Sequence, residues 1–303
     1  MGKMETIDLV YTYVDSGDIQ WKESFLSNLK ANYNPTRHNI DAASVNRFRS
    51  RDEIKVSLKY LDKNATWIRN IYIVAGQDKP EWLPSEIIWI RHEEIINPEY
   101  LPTFNSHAIE ANLHRIPGLA EYFIYSNDDF MITKPVNPED FLTPDGKIQV
   151  FLDPAYSKEG EPNSKEIGFR SAWKNVNNLL NKEFGPRRRE KMAHAPVLCS
   201  KSICQDIWDK FPNEMEATTR SKFRSIADIN LLTAYYPWYC LHTEKAIISE
   251  KETKTLYIRT ENQNELLEYI NRLNTTETFL CIEDEGGEDS QVSNAIKILL
   301  ERE

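Results

Sequence analysis

Two acidic sites at the ends of apolar runs could bind a metal ion or a nucleotide. Asp128 and Asp129 follow the apolar run 122–125 after Ser126 and Asn127. Paired carboxylates at a strand end can hold Mg²⁺ together with substrate phosphates, because this ion prefers carboxylate and phosphate oxygens. An Asx turn that closes the strand is the alternative. Asp15 follows the run 7–14 and could bind a nucleotide base or ribose hydroxyl, or could cap the next helix.

Three polar residues near a predicted helix start could bind phosphate or sugar. Asn105 and Ser106 begin a predicted helix over 105–116, and Glu110 lies one turn further on. The free backbone N–H groups of a helix N-terminus suit phosphate oxygens or sugar hydroxyls. Ordinary N-capping by Asn105 or Ser106 is the alternative interpretation.

One histidine and one arginine in the second half complete the candidate chemistry. His194 lies in an irregular segment after the basic run 187–189. It is the natural general base among six histidines because imidazole titrates near neutral pH, although a single histidine is often structural. Arg224 could stabilise charge on a phosphate, or could form an ordinary i,i+4 pair with Asp228 on a helix.

The elements that must position these residues alternate between strand and helix over 7–135. β-Branched and aromatic runs predict buried strands, and apolar residues at helical spacing predict the helices between them. The predicted strands are 7–14, 71–74, 87–90 and 122–125, and the predicted helices are 17–32, one that begins at a Ser50/Glu53 capping box, and 105–116. This order indicates an α/β fold with an open, mostly parallel sheet, whose ligands lie beyond the carboxyl ends of the strands. Both acidic sites fall on that edge.

The second half is predicted to be more helical and to cover the sheet edge. Helices are predicted near 170–184, 202–211, 225–235 and 290–302, with short strands near 254–259 and 278–282. No low-complexity linker separates the halves. We therefore expect a single domain over 1–303, with an α/β part at 1–150 and a helical part at 151–303 that completes the site.

The overall composition narrows the class of protein. The chain carries 37 Lys and Arg against 47 Asp and Glu, a formal net charge of −10, which argues against nucleic-acid binding. No apolar run approaches the roughly 20 residues that cross a bilayer, and the N-terminus does not resemble a signal peptide. We therefore expect no transmembrane segment and a cytoplasmic location. P-loop, GxGxxG, GxSxG and HExxH motifs are absent from the sequence.

Four blocks of sequence together resemble the Stealth family of sugar-phosphate transferases. The first block is Ile7 to Asp15, and the second runs from Arg47 through Trp82-Leu83 and Leu101 to Ser106 up to Asp129. The third is Trp173 to Pro196, and the fourth is Arg224 to Asp228, with Cys281 to Asp284 near the end. They follow the family's order and span nearly the whole chain. The family includes bacterial capsular polysaccharide phosphotransferases and the catalytic core of the animal N-acetylglucosamine-1-phosphotransferase.

This resemblance implies a GT-A-like α/β fold and an enzyme that uses Mg²⁺ or Mn²⁺. The implied reaction moves a hexose 1-phosphate, with N-acetylglucosamine 1-phosphate expected, from a UDP-sugar to a hydroxyl of a carbohydrate acceptor, and releases UMP. Residues 1–150 would bind the nucleotide sugar, and the product would belong to capsule or exopolysaccharide synthesis. Association with the membrane periphery through partners and pairing as a homodimer are further expectations.

The family's functional positions fall on residues of the expected type. They are Ser106, Glu110, Asp129, His194 and Arg224. The resemblance implies that Asp129 holds the metal with Asp128, that His194 accepts the acceptor's proton, and that Arg224 neutralises phosphoryl charge. The expected substrate-binding residues are Asp15, Arg51, Asn105, Ser106, Lys174 and Asp228. The chain departs from the family pattern at Glu283, where the family prefers Asn, and this position bears on the donor sugar more than on the reaction.

Two other functions stay open at this point. A metal-dependent glycosyltransferase of the same fold would break the sugar C1–O bond and release UDP. A non-catalytic carbohydrate-binding subunit could also keep the fold. Such a subunit would have no need to keep the proposed catalytic residues together.

Overall fold

A five-stranded sheet forms the centre of the described part of the chain. The computed structural model describes residues 5–258 and 277–284. In sheet order the strands are β3 (Ile88–Arg91), β2 (Ile71–Ala75), β1 (Ile7–Thr12), β4 (Tyr122–Asn127) and β9 (Val197–Ser200). The first four run parallel, and β9 pairs antiparallel with β4. The prediction of an α/β fold with a mostly parallel sheet is confirmed, whereas β9 was not predicted.

The α-helices flank this sheet, and most lie in the second half as expected. They are α1 (Ile19–Asn32), α2 (Glu53–Asn64), α3 (Ser106–Glu110), α4 (Gly168–Phe184), α5 (Lys201–Lys210), α6 (Pro212–Arg220) and α7 (Tyr236–His242). The predicted helices at 17–32, 170–184 and 202–211 are confirmed. Within the described residues, none of the helices combines the length and the apolar character that crossing a membrane requires.

Short strands tie the two halves of the chain together. They are β5 (Phe130–Ile132), β6 (Ile148–Val150), β7 (Leu152–Tyr156), β8 (Glu190–Met192), β10 (Ala246–Ile248), β11 (Thr253–Ile258) and β12 (Phe279–Asp284). β12 lies between β11 and β5, β10 pairs with β6, and β7 pairs with β8. The strands predicted near 254–259 and 278–282 are confirmed, and the helix predicted at 290–302 lies outside the described residues. The first half therefore shares its sheets with the second.

A separate aromatic cluster packs beside the main core and fixes three loops. Its buried rings are Phe25, Phe48, Phe104 and Phe223. Phe48 and Phe223 lie with their ring centroids 5.1 and 5.9 Å from that of Phe25. Burying a ring of this size contributes about 2 kcal/mol. The cluster therefore anchors the segments that carry the neighbouring polar residues at 47, 105 and 224.

The helix predicted over 105–116 is wrong in its length. α3 ends at Glu110, and a short 3₁₀ turn covers Leu113–Arg115. The Asn112 side chain donates to the Ala108 carbonyl oxygen at 2.8 Å. Asparagine side chains compete with the backbone for its acceptors in this way, which ends the regular helix.

The helix predicted over 225–235 is also wrong. Residues 221–230 form an irregular loop, and a π-helical turn over Leu231–Tyr235 leads into α7. The Asp228 carboxylate accepts hydrogen bonds from the backbone N–H and the hydroxyl of Ser225, at 3.0 and 2.6 Å. These bonds fold the loop locally, so Arg224 and Asp228 are not a helical i,i+4 pair.

The helix caps differ from the predicted ones. α2 begins at Glu53 after Asp52, whose φ is 68°, and the Glu53 carboxylate accepts from the Arg51 backbone N–H at 2.6 Å. The capping box with Ser50 as N-cap is therefore wrong. Asp18 caps α1 by accepting from the Trp21 N–H, so Asp15 does not cap that helix.

Candidate active site

The carboxyl ends of β1 and β4 lie side by side and define the edge of the site. Thr12 is opposite Asn127 in the parallel pairing of these strands, so the chain leaves both strands at the same place. Asp128 and Asp129 form the link between β4 and β5. The prediction that the acidic pair lies at this sheet edge is confirmed.

β12 brings Cys281 against Asp129 and beside His194, which lies in the segment after β8. The Ile282 N–H donates to the Asp129 carbonyl oxygen at 3.1 Å. The Cys281 thiol donates to Asp129 Oδ2 at 3.5 Å, and its sulfur lies 3.8 Å from His194 Nδ1. The Phe130 ring stacks against the His194 ring with centroids 6.2 Å apart. Asp129 Oδ1 is buried and accepts no hydrogen bond from the described residues.

Burial and repulsion between carboxylates disfavour negative charge on the acidic pair. Burial and repulsion from Glu283 raise the pKa of Asp129 to about 7, against the lowering influence of His194. Burial, Asp129 and Glu53 raise the pKa of Asp128 well above its usual range. A divalent cation would relieve this repulsion.

A magnesium ion fits this pair only with help from a substrate. In the described part of the chain, no three His, Cys, Asp or Glu side chains converge as a complete metal site. Mg²⁺ commonly takes one or two carboxylates and completes its coordination with water and substrate phosphates. The unpartnered Asp129 Oδ1 and the raised pKa values therefore fit an ion that Asp128 and Asp129 would share with a phosphate-bearing ligand.

The His194 side chain faces Glu283 through one ring nitrogen and is partly exposed to solvent. Its Nδ1 lies 3.3 Å from Glu283 Oε2, and about a third of the side chain, 34%, is exposed. Burial alone would lower the His194 pKa, but the charges of Glu283 and Asp129 outweigh it and raise the pKa. This increased proton affinity suits a general base that must accept a hydroxyl proton.

Arg224 lies beside α3 on the other side of the site. Its Nη2 donates to Ser106 Oγ at 3.0 Å, and its Nη1 lies 3.6 Å from Asp41 Oδ2. A Cβ atom at Gly168 would lie 2.6 Å from Arg224 Cδ. The chain therefore approaches the arginine stem at a position where no other side chain fits without a shift.

Glu110 lies near Arg224 and Ser106 on one side and near Tyr125 of β4 on the other. Burial raises the pKa of Glu110 to about 7, although Arg224 and the hydroxyls of Tyr125 and Ser106 lower it. Glu110 Oε2 is buried and makes no hydrogen bond to the described residues. The Tyr125 hydroxyl also donates to Asn127 Oδ1 at 2.6 Å, at the end of β4. The charges of Glu110, Asp129 and Asp128 all raise the pKa of the buried Tyr125 hydroxyl, so Tyr125 lies near both sides of the site.

Two of the predicted substrate ligands are turned inward. Asp228 is fully buried, and its Oδ2 accepts from Asn105 Nδ2 at 2.8 Å and lies 3.1 Å from His107 Nδ1. Asn105 is itself buried and caps α3 by accepting from the His107 N–H at 3.2 Å. Asn105 and Asp228 therefore hold the Arg224 loop against α3 and do not face the opening of the site.

The remaining predicted ligands lie at the edges of the site. Lys174 donates to Glu166 Oε2 at 2.8 Å and is largely buried in that ion pair. Asp15 accepts from the Gly17 N–H at 2.7 Å within its own turn. Arg51 is half-buried just before α2.

One arginine of the site was not predicted. Arg47 Nε lies 3.9 Å from Asp41 Oδ2, the same oxygen that faces Arg224. Arg47 belongs to a run with Arg49 and Arg51, and this spacing marks a basic segment without distinguishing its members. Asp41 lies in a loop, where no pattern could have indicated it.

The family model of Stealth protein CR2, conserved region 2, matches residues 47–150, and that of Stealth protein CR3, conserved region 3, matches residues 193–241. Together the two regions cover about half of the chain. They include Ser106, Glu110, Asp129, His194 and Arg224.

Curated relatives match most of the chain. The capsular polysaccharide phosphotransferase SacB of Neisseria meningitidis serogroup A is 39% identical over 251 residues, which cover 82% of this chain and 45% of the relative. The exopolysaccharide phosphotransferase SCO2594 of Streptomyces coelicolor is 38% identical over 245 residues, 79% of this chain and 40% of the relative. The chain spans less than half the length of these relatives.

Solved glycosyltransferases are distant neighbours in structure. Galactosyltransferase LgtC, solved with donor and acceptor sugar analogues, has a TM-score of 0.47 and 10% identity, over 97% of this chain and 95% of that one. Mouse xyloside xylosyltransferase 1 has a TM-score of 0.42 and 10% identity, over 94% and 99% of the two chains. The two conserved regions and the relatives at nearly 40% identity are matches in sequence, and they show that the chain belongs to the Stealth family.

Proposed function

We propose that this chain transfers a sugar 1-phosphate from a UDP-sugar to a hydroxyl of a carbohydrate acceptor and releases UMP. N-Acetylglucosamine 1-phosphate is the proposed group, and capsule or exopolysaccharide synthesis is the proposed setting. In this proposal, residues 1–303 form one catalytic domain, in which 1–150 binds the nucleotide sugar and 151–303 completes the site. The relatives named as phosphotransferases support the reaction class.

The observation that carries the proposal is the meeting of two opposite kinds of group on one sheet edge. Arg224 and Ser106 offer hydrogen-bond donors beside Glu110, whereas Asp128 and Asp129 offer carboxylates, and Tyr125 of β4 feels the charges of Glu110 and of both aspartates. A nucleoside diphosphate needs both, since its phosphates bind arginine directly and bind carboxylates only through a cation. A simple sugar-binding surface has no need for either.

In the proposed reaction, Asp129 and Asp128 would hold Mg²⁺, which when bound neutralises charge on the two donor phosphates. Arg224 binds the phosphoryl group that is transferred. Phosphoryl transfer depends mainly on such positioning and charge neutralisation. These residues would also withdraw charge from the departing UMP.

His194 accepts the proton of the attacking hydroxyl. Its Nδ1 faces Glu283, so Nε2 is the nitrogen available to the acceptor. The acceptor oxygen forms a bond to the β-phosphorus, and the bond from this phosphorus to the bridging oxygen breaks, so UMP leaves with that oxygen. The sugar C1–O bond is not broken, and the anomeric configuration of the donor is kept. Glu110 and Ser106 hold sugar hydroxyls or phosphate oxygens.

The test is the identity of the nucleotide product. Purified chain with Mg²⁺, UDP-N-acetylglucosamine and a panel of sugar acceptors should give UMP, together with a phosphodiester signal in the ³¹P spectrum of the glycan. UDP as the product would replace the proposal with a glycosyltransferase. Binding without either product, across several donor sugars, would favour a non-catalytic carbohydrate-binding subunit.

A matched control separates the chain's own chemistry from background hydrolysis. Addition of EDTA should stop UMP formation, and excess Mg²⁺ or Mn²⁺ should restore it. Glu81→Gln alters an exposed carboxyl group far along the sequence from the acidic pair and should behave like the unmodified chain.

A further inference from the structure

We propose that Arg47 is a second anion-binding residue of this site, which acts together with Arg224 across the shared carboxylate of Asp41. The ligand class is a phosphate or diphosphate group. Its identification with the donor diphosphate rests on the proposed function, whereas anion binding by the two arginines does not.

One carboxylate faces two guanidinium groups. Asp41 Oδ2 lies 3.9 Å from Arg47 Nε and 3.6 Å from Arg224 Nη1. Both distances are longer than a hydrogen bond, so neither arginine is firmly bound to this oxygen. The other oxygen, Oδ1, accepts from the Gly168 N–H at 2.7 Å. The cluster of two arginines and one aspartate therefore keeps a net positive charge.

Both arginines also hold N–H groups that lack acceptors. Arg47 Nη1 and Arg224 Nε are buried and make no hydrogen bond to the described residues. The side chains of Arg47 and Arg224 are only 17% and 20% exposed. A buried polar group without a partner is unfavourable, and native structures keep few of them without a reason. Phosphate oxygens would supply the missing acceptors, because their geometry matches the planar guanidinium fork.

The electrostatics agree with this geometry. Burial, and then the charge of Arg224, lowers the pKa of Arg47 to about 9, although Asp41 and Asp228 raise it. An anion between the two guanidinium groups would offset their repulsion. The arrangement is therefore more favourable with a bound anion than without one.

The fold positions the Arg47 and Arg224 side chains before an anion binds. Each directly precedes or follows a ring of the aromatic cluster, since Arg47 adjoins Phe48 and Arg224 adjoins Phe223. The Arg47 guanidinium carbon lies 5.2 Å from the centre of the Phe48 ring. Packing of these rings limits the motion of the two segments, so less conformational entropy is lost when an anion binds.

A merely structural role makes a different prediction. If Arg47 and Asp41 only tie the loops together, loss of either side chain should weaken anion binding at Arg224. In a true anion site, Asp41 competes with the ligand for the arginines. Removal of its charge should then strengthen binding, while removal of Arg47 weakens it.

The experiment is calorimetric titration of the full chain with inorganic pyrophosphate in EDTA, so that no metal contributes. Arg47→Met should weaken pyrophosphate binding by at least about 10-fold, the loss of one charge-assisted hydrogen bond. Asp41→Asn keeps an oxygen for the Gly168 N–H and should bind about threefold or more tightly. Arg37→Met removes an exposed arginine of the same loop region and should stay within about twofold.

Several outcomes would overturn the inference. They are unchanged binding in Arg47→Met, weakened binding in Asp41→Asn, or no pyrophosphate binding by the unmodified chain. Arg47→Lys keeps the charge and guards against misfolding; it should bind more tightly than Arg47→Met if the site takes an anion. If the variants follow the expected pattern while UDP-sugars yield no UMP, the anion site stands and the proposed function fails.

Discussion

The two sides of the candidate active site are built in opposite ways. On the arginine side, defined by Arg224, Ser106 and Arg47, a buried carboxylate network holds the loop from beneath. On the acidic side, defined by Asp128, Asp129 and Glu283, carboxylates crowd together, and burial and repulsion raise the pKa values of Asp128 and Asp129. The arginine side is thus organised before any ligand binds, whereas the acidic side is unfavourable without a cation.

The difference indicates that the acidic side is less stable on its own and is arranged for ligand binding. Asp228 is fully buried, more deeply than the half-buried Asp128 and Asp129, yet it has hydrogen-bond donors from Asn105, Ser225 and the adjacent His107. Among the described residues, Asp129 finds a weak thiol donor for Oδ2 and no donor for its buried Oδ1. A carboxylate with a buried oxygen that has no donor is unfavourable, so its presence indicates a role that a ligand completes.

Loss of the acidic side should have the largest effect on activity. Asp129→Asn removes a carboxylate charge without changing size, and turnover measured as UMP release should fall by about 1,000-fold. Pyrophosphate binding in EDTA should be unchanged, because the arginine side is intact. A variant within tenfold of normal turnover would remove Asp129 from the metal site.

Loss of the general base, His194, should have the second-largest effect on activity. His194→Ala should lower turnover by about 100-fold near neutral pH, the lower range for a general base. Glu283→Gln should act more mildly and shift the pH profile. Since Glu283 raises the His194 pKa, its loss lowers that pKa, and the rising limb of rate against pH should move to lower pH. An unmoved limb would separate Glu283 from the base.

Loss of the buried network should test the arginine side through stability. Asp228→Asn removes the acceptor charge for Ser225 and His107, and the free energy of unfolding in urea should fall by about 2–3 kcal/mol. Asp62→Asn, on an exposed face of α2, should change it by less than about 0.5 kcal/mol. A result for Asp228→Asn as small as for this control would mean that the network does not hold the loop.

The smallest effect is expected at the junction of the two sides, and it depends on pH. The Glu110 pKa is raised to about 7, so the folded state binds its proton more tightly than the unfolded chain does. That stability is present below the unfolded pKa and is lost as pH rises through about 7. Glu110→Gln imitates the protonated form and should stabilise the protein at pH 8 by about 1–2 kcal/mol, with little effect at pH 4. Equal melting shifts at both pH values would contradict the raised pKa.

The strands were predictable because their residue types and spacing are properties of the local sequence. β1, β2 and β4 are runs of β-branched and aromatic residues, and their order between helices already indicates a parallel sheet with a binding edge. β9 was missed because four residues between a turn and a helix give no distinct pattern. α3 and the 221–230 loop were misjudged because Asn112 and Asp228 bond to the backbone and to distant side chains.

The sequence by itself determined the sheet class, the position of Asp128 and Asp129 at its edge, and, through the family resemblance, five residues of the candidate site. Only the tertiary structure decided which neighbours those residues have. It turned Asn105 and Asp228 inward, paired Lys174 with Glu166, and brought Arg47 and Arg224 to one oxygen of Asp41. The physical reason is that residue type and spacing encode local backbone conformation, whereas the sharing of a carboxylate between segments far apart in the chain depends on how the whole core packs.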